Sequence, residues 1–332
     1  MRSILSKLSL AALAIGLILA LAVTPAAAEH VQCGDTITQD TTLDSDLLNC
    51  PRHGVIIGAS GVTLNLAGHT IDGADTQFPS NHGVDITNQD GVTVTNGTIT
   101  DFGQAVGVYD ATGGEISRLS TGSTLGIFLS NSDEFEVLLN AGTVVLFGDS
   151  DGNLVARNDI PGGLLITGAF PVRPWPDGNV IERNTVAGFI LSLGAVGTII
   201  ARNEVRSTSF GIGVSGGSGT IIARNDVSGA ERGISVVNER DTLVVRNRVS
   251  GNPGDGIVVG SNATGSVLRR NLAQDNGDDG IDVESPATVI AANTANANGD
   301  LGIEAVVGVT DGGGNKARDN GNPAQCVGVS CK

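Results

Sequence analysis

The strongest constraint on this chain is a repeat. Asparagine follows an apolar run at Asn203, Asn225, Asn247, Asn271 and Asn293, at spacings of 22, 22, 24 and 22 residues. A glycine–isoleucine step keeps phase with it at Gly211, Gly233, Gly256, Gly280 and Gly302. Looser copies extend upstream to Asn158 and Asn184, and Gly61–Leu66 and Gly91–Thr95 read as strands of the same kind. The segments between landmarks are short, β-branched and broken by Gly, Asn, Asp and Ser, with no helical periodicity beyond the first 28 residues. A strand repeat of about 22 residues without a crossover helix predicts an all-β chain, wound as a single right-handed parallel β-helix of three short strands per coil. An asparagine at the same turn of each coil can pass its amide hydrogen bonds along the stack. The glycines suit a corner that needs positive φ or close packing. Ten aromatic residues among 332, one Trp, one Tyr and eight Phe, also fit a narrow aliphatic core.

These residues carry a resemblance. The stretch Thr220–Asn225 (TIIARN), the stretch Asp279–Val283 (DGIDV) and the opening from Cys33 through Leu64–Gly73 (LNLAGHTIDG) resemble parallel β-helix repeat proteins of the pectin-lyase-like superfamily, over roughly residues 33–331. The resemblance is specific for fold. That group includes polysaccharide lyases, glycoside hydrolases, uronan epimerases and members without known activity, so it does not carry one function.

Residues 1–28 read as a secretory signal peptide: Arg2 and Lys7, an apolar stretch from Leu8 to Val23, then Ala26-Ala27-Ala28. The expectation is a secreted protein, with residues 29–332 forming the solenoid, residues 29–60 and 312–332 capping its ends, no membrane segment after signal removal, and a monomeric state. The chain carries a formal charge of −16, which disfavours nucleic acid and anionic membranes as partners. All four cysteines lie near the ends, at Cys33, Cys50, Cys326 and Cys331. Three pairings exist; Cys33–Cys50 with Cys326–Cys331 is favoured, because each bond then staples one terminus.

Four features are candidate sites. Arg157, Arg183, Arg202, Arg224, Arg246 and Arg270 each precede a ladder asparagine and should line one edge at coil spacing. Asp159, Glu204 and Asp226, two residues further on, are the expected local partners that neutralise this stripe. Otherwise Arg202, Arg224, Arg246 and Arg270 would grip the carboxylates of an acidic polysaccharide. Asp255, Asp278, Asp279 and Asp282, with Asp275 and Asp300 nearby, fall beside the glycine ladder and form a candidate calcium site. The same carboxylates also suit turns. The adjacent Asp278-Asp279 resembles the paired aspartates of β-helix hydrolases, but the downstream histidine that this resemblance requires is missing. His69–Asp72 and His82–Asp85 could supply a base or a metal ligand. The resemblance instead implies that His69 shapes the first coils, and an epimerase-type Tyr near Asp-Pro-His is absent. The fourth feature is an insertion at 170–178 that holds Trp175, either packed on the wall or presented as a sugar platform.

The sequence therefore points to an exported, non-catalytic glycan-binding or structural surface protein. The alternative is a calcium-dependent polysaccharide lyase or related uronan-modifying enzyme, with no residue marked as its base.

Overall fold

The computed structural model describes residues 30–74, 80–123, 125–168 and 175–332. The signal-peptide reading and most of the 170–178 insertion lie outside the described residues. Among the described residues there is no helix; every paired strand is parallel, and the chain winds through three sheets. A 14-stranded sheet runs from Asp35–Ile37 to Cys326–Val327, and a 15-stranded sheet includes Thr41–Thr42 and ends at Thr310–Asp311. An 8-stranded sheet begins only at Asp159–Ile160 and continues to Lys316–Arg318. Before that coil the second and third faces are joined in long bent strands such as Thr112–Gly122.

The core is a set of aliphatic columns in register. On the 14-stranded sheet one column reads Val55, Val84, Val106, Ile127, Val144 and Leu164, then Ile190, Ile212, Ile234, Ile257, Ile281 and Ile303. Each is at most 1% exposed. A β-branched side chain packs well on a pleated surface, and alternation along each strand sends its neighbours outward. Full burial of one such side chain contributes about 1.5–3 kcal/mol. Truncating a central member, Ile234→Ala, would cost about 2–5 kcal/mol through the cavity left behind.

The asparagine ladder runs through nine residues, from Asn140 to Asn315. Each Asn Nδ2 donates to the Oδ1 of the next, as in Asn203–Asn225 at 3.1 Å and Asn225–Asn247 at 3.0 Å. Each also donates to a backbone carbonyl, and its Oδ1 accepts the preceding asparagine's backbone N–H. A second ladder, Asn252, Asn276, Asn298 and Asn320, explains the glycines. A Cβ on Gly256 would lie 2.7 Å from Asn276 Nδ2 and 2.5 Å from Gly280 O. Close packing, not positive φ, therefore demands the glycine step. Positive φ falls instead on the arginines: Arg157, Arg183, Arg202, Arg224, Arg246 and Arg270 all have φ of 57–59°. The terminal segments are wound into the sheets as well, and Cys33–Cys50 and Cys326–Cys331 are bonded as expected.

Candidate functional site

The outward side of the 14-stranded sheet differs from every other surface. Among the described aromatics, Phe102 and Phe135 are fully buried. The part-exposed Tyr109, Phe128, Phe147, Phe189 and Phe210 all stand on strands of this one sheet. Trp175 lies against two glycines, Gly168 and Gly194, that follow its strands. Five rings run in successive coils: His53, His82, Tyr109, Phe128 and Phe147, with centroids 5.1, 5.4, 5.9 and 5.9 Å apart. These are ordinary aromatic contact distances. Trp175 then closes one wall of a recess of about 300 Å3 lined by Thr167, Gly168, Leu193, Gly194, Ser215 and Gly216. The tryptophan is thus both packed on the solenoid wall and part of an open recess.

At the N-terminal end of this row the side chains become polar. Asp85 points outward from the strand His82–Thr87, in register with Ile56 and Gly107 of the adjoining coils. A Cβ on Gly107 would press on Gln104 Oε1, Tyr109 Cε2 and His82 Cγ at 2.7–3.1 Å, so the glycine leaves room for three side chains to converge. His82 Nδ1 stands 3.5 Å from Asp85 Oδ2, and His53 Nδ1 stands 3.9 Å from the same oxygen. Tyr109 donates its hydroxyl proton to Gln104 Oε1 at 2.7 Å and lies 3.4 Å from His82 Nε2. Thr87 donates to Asp85 Oδ1 at 2.6 Å. Burial pushes the Tyr109 hydroxyl above its ordinary pKa. His53 is pushed down, first by burial and then by the neighbouring His82. Asp85 lies below the usual carboxylate range; burial opposes this, but the adjacent His82 ring, when it carries a proton on Nδ1, and the Thr87 hydroxyl prevail.

The sequence paired the histidine segments by nearness along the chain, and the structure separates them. His69 immediately precedes the strand Thr70–Gly73 of the 15-stranded sheet, and its Nδ1 meets Asp46 at 3.1 Å. His82 and Asp85 join His53, Gln104 and Tyr109, none of which the sequence singled out. Phase in the coil was the available signal, but spacings of 29 residues from His53 to His82 and 27 to Tyr109 fall outside the 22-residue pattern.

The acidic residues meet at the other end of the same sheet. Carboxylate oxygens of Asp255, Asp278 and Asp279 lie within 4.8 Å of one another, as do those of Asp279, Asp282 and Glu304. Asp282 and Glu304 face outward in register one coil apart, and Glu304 is the member the sequence missed. Burial, then a hydrogen bond and repulsion from Glu304, raise Asp279 to about 7. Burial followed by repulsion from Asp255 raises Asp282 to about 6. Asp275 instead accepts from Gln274, and Asp300 lies outside both groups.

The arginines stand elsewhere. They line the exposed corner between the 15- and 8-stranded sheets, so Trp175 and Arg202, Arg224, Arg246 and Arg270 do not share one groove. Register also places Arg118 in this column, one coil before Leu139. The expected neutralising partners pair differently. Glu204 binds Arg206, and Asp226 approaches Arg248 at 4.0 Å, because both acids have turned onto the next sheet. Glu182 instead bridges Arg183 and Arg202, at 2.6 and 3.0 Å. Among the described residues, Arg157, Arg224, Arg246 and Arg270 have no ion pair.

Comparison with known proteins gives the following. A crystal structure of a mutant of the periplasmic alginate epimerase AlgG is similar at TM-score 0.49 and 15% identity, covering 90% of this chain and 74% of that one. The A-module of mannuronan C-5 epimerase AlgE6 from Azotobacter vinelandii matches at 0.47 and 12%, covering 91% and 90%. The catalytic unit of a GH87 alpha-1,3-glucanase from Streptomyces thermodiastaticus matches at 0.40 and 14%, covering 87% and 62%. A sequence search of curated proteins finds no match. The family model described as "Right handed beta helix region" matches residues 136–259 and 175–322, together more than half of the chain. With its parallel coils, buried asparagine ladders and aliphatic columns, the chain belongs to the right-handed β-helix family.

Proposed function

We propose that this protein binds an extended polysaccharide along the outward side of its 14-stranded sheet, outside the cell that makes it. One observation carries the reading: in a chain poor in aromatics, every described part-exposed Phe, Tyr or Trp ring lies on or against this sheet. Aromatic faces beside hydroxyls and backbone groups, such as Tyr109, Thr167 and Ser215 here, suit the apolar faces and hydroxyl edges of sugar rings. The two disulfides support an oxidising compartment, in keeping with the signal-like N-terminus. Trp175 is the sole tryptophan, so its fluorescence reports on the recess. Titration with pectate, alginate and neutral glucans should give a saturable change with at least one polymer. No change with any of them rejects the reading.

A second reading, catalysis on the bound polymer, is favoured by the cluster at the end of the row. Histidine and tyrosine are side chains able to move protons, and Tyr109 and His82 sit within contact of each other beside the proposed track. The reaction class would be proton removal next to a uronate carboxylate, as in a polysaccharide lyase. Calcium would then be held by Asp255, Asp278, Asp279 and Asp282 with Glu304, while the arginine corner, Arg202 to Arg270, would retain acidic polymer. The test is ultraviolet absorbance of unsaturated products from pectate, alginate and glycosaminoglycans, with and without calcium. A rise that Tyr109→Phe abolishes supports catalysis, and a flat trace leaves binding alone.

A further inference from the structure

We infer that His53, His82 and Asp85 form a binding site for a divalent transition-metal ion of the zinc class. Tyr109 has one hydroxyl proton and gives it to Gln104 Oε1, which can only accept. Its contact with His82 Nε2 then requires the proton to sit on that nitrogen. A neutral His82 therefore presents a bare Nδ1 lone pair, and this atom has no hydrogen-bond partner. The His82 side chain is only 9% exposed. Its Nδ1 is directed at the Asp85 carboxylate 3.5 Å away, a lone pair facing an anion. His53 turns its own Nδ1 towards the same oxygen at 3.9 Å, while receiving only a long 3.4 Å contact from the His82 backbone N–H. A cation between the three converts this mutual repulsion into ligation.

The dimensions fit. Tetrahedral zinc, with bonds of about 2.0–2.1 Å to imidazole nitrogen and carboxylate oxygen, sets its ligand atoms about 3.3–3.4 Å apart. The ligand atoms here lie 3.5 and 3.9 Å apart along two edges, and all three fall within 4.8 Å of one another. The outer contacts fit too. A metal-bound histidine usually donates its other N–H to a fixed acceptor, and a ligating carboxylate is itself hydrogen-bonded. Tyr109 supplies the first, backed by Gln104, and Thr87 supplies the second. Three protein ligands leave a fourth position for water or a ligand group, at the end of the aromatic row. Nitrogen-rich ligation separates this site from the all-oxygen acidic group at the far end of the sheet, which suits a hard cation.

The inference does not rest on the polysaccharide reading, since ion uptake is measured without any glycan. The probe is Co2+, followed by Zn2+ as competitor, added to untagged, chelator-stripped mature protein. We expect one Co2+ per chain with the visible absorption of a four-coordinate nitrogen–oxygen site, displaced by one equivalent of Zn2+. His53→Ala and Asp85→Asn, both at partly exposed positions, should weaken uptake by about 100-fold or more, and Asp278→Asn should leave it unchanged. A second readout needs no variant: Zn2+ should shift the imidazole resonances of His53 and His82 and leave those of His30 and His69 in place. Failure to take up the ion, uptake lost with Asp278→Asn but kept in His53→Ala, or shifts confined to His30 or His69 would each overturn the assignment.

Discussion

The arginine corner and the outward side of the 14-stranded sheet are both exposed and both extend over many coils, yet they are built on opposite rules. At the corner the same residue returns in coil after coil, at the same φ, before the same buried asparagine. On the sheet the register positions change identity at nearly every coil: Ile56, Asp85, Gly107, Phe128, Val145, Leu165, Leu191, Gly213. A solenoid repeats what the backbone needs, so sameness marks architecture and variation marks the surface released from it. The corner is a partial exception. A left-handed residue is least strained as Gly or Asn, and seven arginines there, Arg118 included, are more than the backbone asks for.

The sharpest way to break this contrast is to disturb the ladder beneath the corner. Asn225→Ala removes four hydrogen bonds and strands the Asn203 backbone N–H and one of its two amide protons inside the core. It should cost about 3 kcal/mol in chemical denaturation; a loss below 1 kcal/mol would mean the ladder is not structural. Next comes the surface itself. Trp175→Ala should weaken glycan affinity about tenfold in a retention assay, while the double variant Arg224→Gln with Arg246→Gln lowers retention only of acidic polymers. If neutral glycans also depend on the arginines, the division between the two surfaces is wrong.

A smaller effect should follow from pH. Asp279 and Asp282 hold protons more tightly folded than unfolded, with values of about 7 and about 6 against an ordinary 3.8. The folded state thus binds more protons between pH 4 and 7, so stability falls as pH rises through that window. The melting temperature should drop by about 2–4 °C between pH 5 and pH 8, and Asp279→Asn should flatten the slope. Calorimetry across that range checks the sign. Smallest of all, Arg246→Gly should be neutral or stabilising by up to about 1 kcal/mol, because it relieves a left-handed residue that has no ion pair. A clear destabilisation would show that the guanidinium holds the corner together.

What the sequence made legible follows the same division. The coil length, the Asn203–Asn293 ladder, the glycine step and the disulfide ends were readable because each repeats or brackets a repeat. The acidic group was readable in part, since Asp255, Asp278, Asp279 and Asp282 cluster beside the glycine ladder; Glu304 follows Gly302 by two residues as Asp282 follows Gly280, and was missed although it is in phase. Of the His53–His82–Asp85–Tyr109 cluster only His82 and Asp85 were legible, because the members come from three coils of unequal length. Its geometry depends on Gly107 leaving space, which no spacing rule encodes. The pairing of Glu204 with Arg206 was hidden for a related reason: a left-handed corner sends residues two apart onto different sheets.

The ladders also give the molecule a direction. From Asn140 to Asn293 every side-chain amide donates one proton to the rung of the next coil and the other to a backbone carbonyl of the coil before, so the rung-to-rung hydrogen bonds all point one way along the axis. Such a column must end in surplus donors. Both ladders end on an acceptor that is not another rung: Asn315 Nδ2 on Asp311 Oδ1 at 3.2 Å, and Asn320 Nδ2 on Gln325 Oε1 at 2.9 Å. A second copy stacked on that end would find these donors already taken. The polarity that each coil passes to the next is thus closed within the chain, so the asparagine columns present no free donor at that end.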